Sequence, residues 1–287
     1  MKPHARLLPD GQRLHLQHGP SDLIVWADGA RDHAYRAAMR RFETIIAEVV
    51  EELPDLRAML SPFTNRPMGA VARRMHDACL PLMNVGYLTR MAAVAGSIAD
   101  EVLAAMTKNA DITRAYVNNG GDIALHLTPG TSFKTAIKAH DGSDLGRIEV
   151  TGADRIGGIA TSGRHGRSLS LGIADSVTVL ANSAAEADAA ATLVANAVDV
   201  PGHPSVSRRA ASGVDENSDL GGLPVVVGCG ALSASECQQA LAFGVRRATS
   251  LKTHGCLRTA ALFLQGHAVT TGAHILPIQH EIQNVPT

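Results

Sequence analysis

GGIATSGRHGRSLSLGIADSVTVLANSAAEADAAATLVANAV, running from Gly157 to Val198, is the stretch whose reading decides the fold. It divides into a glycine-rich turn, a short strand and a capped helix. Gly157, Gly158 and Gly163 open backbone angles that other residues avoid, which predicts a tight turn over Thr161-Ser162-Gly163. Ser176–Ala181 (SVTVLA) sets Val177 and Val179 on one face against Ser176, Thr178 and Leu180, a β-branched strand pattern. Ser183 and Glu186 have the spacing of a capping box. A helix is expected to open there and to run to about Val198, ahead of Pro201 and Gly202.

Asp188 and Thr192 stand four residues apart in that helix and so share one face, one turn apart. The alanines around them leave room for a ligand or another backbone. A carboxylate and a hydroxyl are hard oxygen donors that suit Mg²⁺ or Ca²⁺, and Mg²⁺ commonly takes one or two protein ligands and completes its shell with phosphate and water. The plainer reading of the same spacing is a solvated Asp188 and a Thr192 packed on a strand. Arg164, His165 and Arg167 crowd the preceding turn. Three such groups could grip a pyrophosphate, arginine with forked contacts, and His165 could act as general acid or base near neutral pH. Here the plainer reading is an exposed basic loop.

Outward from this stretch, Leu14–Gln17 and Ser21–Trp26 read as strands across a Gly19-Pro20 turn. A long amphipathic helix follows over 33–53, with Phe42, Ile45, Ile46, Val49, Val50 and Leu53 at helical spacing and Pro54 as its stop. An irregular segment over 54–69 leads to helices over 70–83 and 90–107. The small residues from Ala92 to Gly96 either offer amides to a phosphate or allow close packing. Tyr116–His126 reads as two strands around a Gly120-Gly121 bend that carries Asn118, Asn119 and Asp122. Further strands are expected over 135–139, 147–150, 223–229 and 257–269. Residues 201–222 read as a long loop or lid, Ser233 and Glu236 as a second capping box opening a helix to about Ser250, and the ends of the chain as loose.

Three pieces of this pattern resemble the ApbE flavin transferases, which move FMN from FAD onto a threonine of a target protein with Mg²⁺. They are Thr161-Ser162-Gly163 followed by a strand and Ala187-Asp188…Thr192; Val117-Asn-Asn-Gly-Gly-Asp-Ile123; and Ala92-Ala-Val-Ala-Gly-Ser-Ile-Ala-Asp100. The likeness is closer to an uncharacterised cytosolic branch of ApbE-like proteins. The order of Ala-Ala-Val-Ala-Gly, Asn-Gly-Gly-Asp, the long serine motif through Ser168, Ser170, Gly172, Ala174 and Asp175, and Ala-Asp-Ala-(x)-Ala-Thr is kept over about 23–272. The resemblance implies that Asp188 and Thr192 ligate Mg²⁺. It also implies that Asn119, Gly120, Gly121, Asp122, Thr161, Ser162 and Gly163 face FAD or a related nucleotide, beside Arg164 and Arg167, which by their charge would join the same pocket. Two departures stand out: Ala95 replaces the transferases' lysine, and the long insertion that helps hold the flavin is missing between Gly163 and Ser176.

Of 287 residues, 45% are hydrophobic and only 3% aromatic, so a sizeable core must be built from Ala, Val, Leu and Ile. A net charge of −1, without a basic stripe or stacking aromatics, argues against nucleic acid. No apolar run suits a signal peptide or a membrane span, so the cytoplasm is expected. Cys79, Cys229, Cys237 and Cys256 lack CxxC spacing and read as buried thiols. Taken together, the expectation is one α+β domain of mainly antiparallel sheet packed with helices. It would act on a flavin or nucleotide pyrophosphate with Mg²⁺, with Asp188 and His165 in catalytic roles. A non-catalytic flavin- or pterin-like binder is the rival. A protein acceptor and a homo-oligomer are left open.

Overall fold

The computed structural model describes residues 3–277. The chain opens with strands β1 (His4–Leu7), β2 (Leu14–His18) and β3 (Ser21–Gly29), then helices α1 (Arg31–Glu51), α2 (Leu53–Leu56), α3 (Ala70–Cys79) and α4 (Val94–Thr107). Strands β4 (Ile112–Asn119), β5 (Asp122–Leu127), β6 (Ser132–Lys138), β7 (Asp144–Thr151), β8 (Gly158–Ser162) and β9 (Ser176–Ala181) lead to helix α5 (Ala184–Ala197). Strands β10 (Val206–Ala210) and β11 (Pro224–Cys229), helix α6 (Ala234–Thr253), and strands β12 (Thr259–Leu264), β13 (His267–Thr270) and β14 (Ile275–Pro277) complete it. Runs of helices are segregated from runs of strands, and β1 with β2, β3 with β4 and β4 with β5 pair antiparallel, so the architecture is α+β.

The chain divides into two compact units, one of Met1–Phe133, Val150–Ala160 and Leu180–Ala189, the other of Lys134–Glu149, Thr161–Val179 and Ala190–Thr287. In the first, strands run in the order β1-β2-β3-β4-β5-β8. Leu23, Val25, Ala27, Ala115, Val117 and Ala124 are fully buried on one face of this sheet, where α1 and α4 pack. Phe42 and Ile45 of α1 are fully buried there too, each worth about 1.5–3 kcal/mol against exposure. Val50, expected on the same stripe, lies outside it at 57% exposed. Pro54 does not simply end the helix. It sits in the first turn of α2, where its missing N–H breaks no helical bond.

The N-terminal segment is not a loose arm. β1 pairs with β2 from His4 against Gln17 to Leu7 against Leu14. All four of its side chains are exposed, so no apolar pattern announces it.

In the second unit β9, β12 and β13 are neighbours, β10 pairs with β11, and β6, β7 and β14 form a small sheet. Three expectations change. Residues 201–222 are no plain loop, because β10 pairs antiparallel with β11 from Val206 against Cys229 to Ala210 against Pro224. The same pairing leaves β11 part-exposed, with Val227 at 45%, where a buried strand was expected. The single strand expected over 257–269 is a hairpin, turned by Gln265 and Gly266 at φ +44° and +83°. Past Gly272, β14 pairs with β7 from Ile275 against Ile148 to Pro277 against Gly146. Pro286, the other mark of a loose tail, lies outside the described residues.

Candidate functional site

The first unit brings two helix ends together. Ser183 caps α5 as its spacing predicts, its Oγ accepting from the Glu186 amide at 3.2 Å. The reciprocal arm of the box is diverted, since the Glu186 carboxylate accepts from Asn182 at 2.9 Å. The first amides of α5 instead meet Asp100 of α4, which takes Ala184 N–H at 3.1 Å and Ala185 N–H at 2.9 Å. In return Asp188 of α5 accepts the Gly96 N–H of α4 at 3.0 Å. Each helix thus caps the other with a carboxylate, favourable against the positive end of a helix dipole.

Gly96 makes this approach possible. A Cβ there would sit 2.3 Å from the Ala184 carbonyl oxygen, so only glycine fits. Of the two readings of Ala92–Gly96, close packing is the one realised. The Gly96 amide meets a carboxylate of the protein itself.

Asp188 retains some solvent contact although protein surrounds it densely, and its pKa stands well above the ordinary carboxylate range. Burial is the largest cause, and Asp122 adds to it; the amides of Gly96 and Ala95 pull the other way, and Asp100 raises it further. No cation stands among these main influences. Burial likewise lifts Asp100 to about 6, against the pull of its two amides.

The Gly-Gly hairpin lies in the same unit. Asn119 pairs with Asp122 across a loop of just Gly120 and Gly121, at φ +66° and +115°, the signature of a tight two-residue turn. Asn118 Oδ1 accepts the Gly121 amide at 2.8 Å. Asn119 is 2% exposed, donates to the Ala95 carbonyl at 3.1 Å and accepts the Asp22 amide at 3.3 Å. Its side chain ties the hairpin to the start of α4. Gly121 by contrast faces open space.

The other expected residues belong to the second unit. Thr161 and Ser162 end β8 and are not in a turn. The chain turns at Gly163, φ +152°, where a Cβ would meet the Asp175 carbonyl oxygen at 2.5 Å. Thr161 bonds the Thr178 hydroxyl at 3.0 Å. Arg164 is committed to a carboxylate within its own unit, reaching Asp175 at 2.6 Å. His165 also meets Asp175, at 3.3 Å, and stacks on His140 with ring centroids 3.9 Å apart. Its pKa is lowered by burial first, then by Arg164 and His140. Arg167 is exposed, and Thr192 is half-buried on α5.

Sequence reading overlooked Asp100 and Asp175 as anchors. Both stand in quoted motifs, but Asp100 holds amides 84 and 85 residues on and Asp175 accepts the Gln265 amide 90 residues on. The remaining motif residues are scaffold: a Cβ on Gly172 would meet the Ala195 carbonyl oxygen at 2.1 Å, and Ser170 bonds the Gly172 carbonyl at 3.0 Å. Cys79 and Cys237 are buried as expected, whereas Cys229 and Cys256 are part-exposed, and all four are free thiols. Among the described residues no three His, Cys, Asp or Glu side chains group as metal ligands. No helix of the described residues is long and apolar enough to cross a membrane.

Motifs that resemble the ApbE-like proteins stand in the first unit, Asn119–Asp122 in the hairpin and Ala92–Asp100 with Ala187-Asp188 at the exchanged helix ends. The chain belongs to the family described as AbpE bacteria, whose model matches residues 5–270. It is 33% identical over 194 residues to a UPF0280 protein of Methanosphaerula palustris, covering 67% of this chain and 77% of that one. A UPF0280 protein of Methanocaldococcus jannaschii is 35% identical over 156 residues, 51% of this chain and 58% of the relative. The crystal structure of the ApbE protein from Thermotoga maritima aligns at a TM-score of 0.49 and 12% identity, over 90% of this chain and 96% of that one.

Proposed function

We propose that this protein is a Mg²⁺-dependent enzyme acting on FAD or a related nucleotide pyrophosphate, with Asp188 as its principal metal ligand. The observation that carries this reading is the Asp188 carboxylate itself, densely surrounded, raised by burial and by Asp122, and held by the Gly96 amide without a cation among its main influences. Such a group is costly to keep ionised, and a divalent cation offsets that cost. Hard oxygen donors suit Mg²⁺, so the residues fit the metal. Asp188 would hold it together with Thr192, one turn on along α5, and Asp122 would orient its waters. Bound Mg²⁺ would supply Lewis acidity that stabilises charge on a leaving phosphate.

The chain's own part is positional. The Gly96 amide fixes one oxygen of Asp188, Asn119 fixes the hairpin against Ala95, and the open face of Gly121 lets a planar ligand approach. Transfer of FMN to a protein threonine is the reaction that the family motifs suggest. Incubation with FAD and Mg²⁺, in which water stands in for the threonine hydroxyl as acceptor, followed by chromatography for FMN and AMP, tests the pyrophosphate cleavage that this transfer requires. Release that needs Mg²⁺ and is lost in Asp188→Ala supports the enzyme; binding without release assigns the protein to the non-catalytic ligand-binding reading.

A further inference from the structure

Arg90 and His76 are the most unusual polar side chains outside this site. Arg90 opens the 3-10 turn Arg90–Ala93 that leads into α4, and His76 lies on α3. Arg90 is 2% exposed and His76 4%. Among the described residues, neither the Nε of Arg90 nor the Nδ1 of His76 has a hydrogen-bond partner, and Arg90 forms no ion pair. Helix α3 and the 3-10 turn that carries Arg90 pack against each other, and the charge of Arg90 lowers the His76 pKa.

An arginine covered from solvent and unpaired is rare, because a buried charge without a partner costs several kcal/mol. Two of the nearby carboxylates are engaged elsewhere. Glu52, which acts on Arg90 through space, accepts the amides of Met68 and Gly69 at 2.8 and 2.7 Å. Asp77, beside His76, is paired with Arg66 at 2.6 Å. Asp55 also acts on Arg90 from a distance, but it is exposed on the surface. Cys79 lies close to Arg90, and burial pushes its thiol up and holds it neutral.

We infer that Arg90 and His76 form a binding site for a phosphate-type oxyanion at the junction of α3 and α4. The guanidinium supplies the charge and a forked set of donors that matches oxyanion geometry. His76 supplies a second N–H from Nδ1 as its neutral tautomer. Free phosphate and the phosphate of a nucleotide present the same chemistry to these donors. The site lies near Asp188, since Asp188 and Arg90 both act on Cys79, yet its donors need no metal and it stands even if the Mg²⁺ reading fails.

The test is thermal melting and calorimetry of wild type and Arg90→Met in sodium phosphate, in ADP, and in sodium chloride at matched ionic strength. In chloride, Arg90→Met melts no lower than wild type, since an apolar residue replaces an unpaired buried charge. In phosphate at about a hundred times its Kd, wild type gains several degrees and Arg90→Met gains none. A gain with ADP alone that Arg90→Met loses assigns the oxyanion to a nucleotide and also upholds the site, whereas an ADP gain that Arg90→Met keeps belongs to the Asp188 site and overturns it. If neither anion shifts wild type beyond chloride, or if both proteins shift equally, the inference is overturned. Should Arg90→Met not fold, Arg90→Lys is read instead: loss of the fork weakens anion binding by about tenfold, and unchanged affinity overturns the site.

Discussion

Asp100 and Asp188 exchange helix ends: the α4 carboxylate holds the first two amides of α5, and the α5 carboxylate holds the Gly96 amide of α4. This exchange determines where the candidate metal ligand stands. Its tightest point is Gly96, 2.3 Å from the Ala184 carbonyl oxygen by way of a built Cβ. Backbone cannot yield there as a flexible side chain would. Gly96→Ala should therefore lower stability by about 1–3 kcal/mol, measured by urea unfolding, whereas Gly222→Ala, facing open space, should change it little.

Asp100 also gives a pH signature. Its folded pKa of about 6 lies above the ordinary 3.8, so the folded state holds the proton more tightly than the unfolded chain. The stability this contributes is fully present below about pH 4 and is lost as pH rises through 6. The gap in unfolding free energy between wild type and Asp100→Asn should therefore move against wild type across that window, by about 3 kcal/mol at most. A pH-independent gap in denaturant melts would contradict this.

His165 acts in the opposite sense. Burial, Arg164 and the stacked His140 lower its pKa, against the pull of Asp175. The unfolded chain thus takes up the proton first, and stability falls as pH drops below about 6.5, the ordinary imidazole value. His165→Phe should keep the stack and lose part of that acid sensitivity, read as a shallower fall in melting temperature between pH 7 and 5.

Ser233 and Glu236 form the complete capping box of α6, with Ser233 N–H to Glu236 at 2.7 Å and Glu236 N–H to Ser233 at 3.3 Å. Ser233→Ala should cost about 1 kcal/mol in equilibrium unfolding without altering FAD or Mg²⁺ binding.

Local pattern made much of this fold legible. Ser176–Ala181 matched β9 residue for residue, and Asn-Gly-Gly-Asp marked the hairpin because glycine adopts two successive positive φ angles without strain. What stayed hidden depended on partners distant in the chain. Asp100 meets Ala184 across 84 residues, and β14 is a strand only because β7 lies beside it. β9 read as two-faced, yet all six of its residues are buried. Arg90 and His76 carried no signal, since nothing in their neighbours' identity tells that both would be covered and unpartnered.

The most direct test of the central claim is calorimetric titration of FAD into wild type and Asp188→Ala, each with and without Mg²⁺. The account predicts binding by wild type that depends on Mg²⁺ and weakens by about tenfold or more in Asp188→Ala. Equal FAD binding in all four titrations, or none in any, would contradict it.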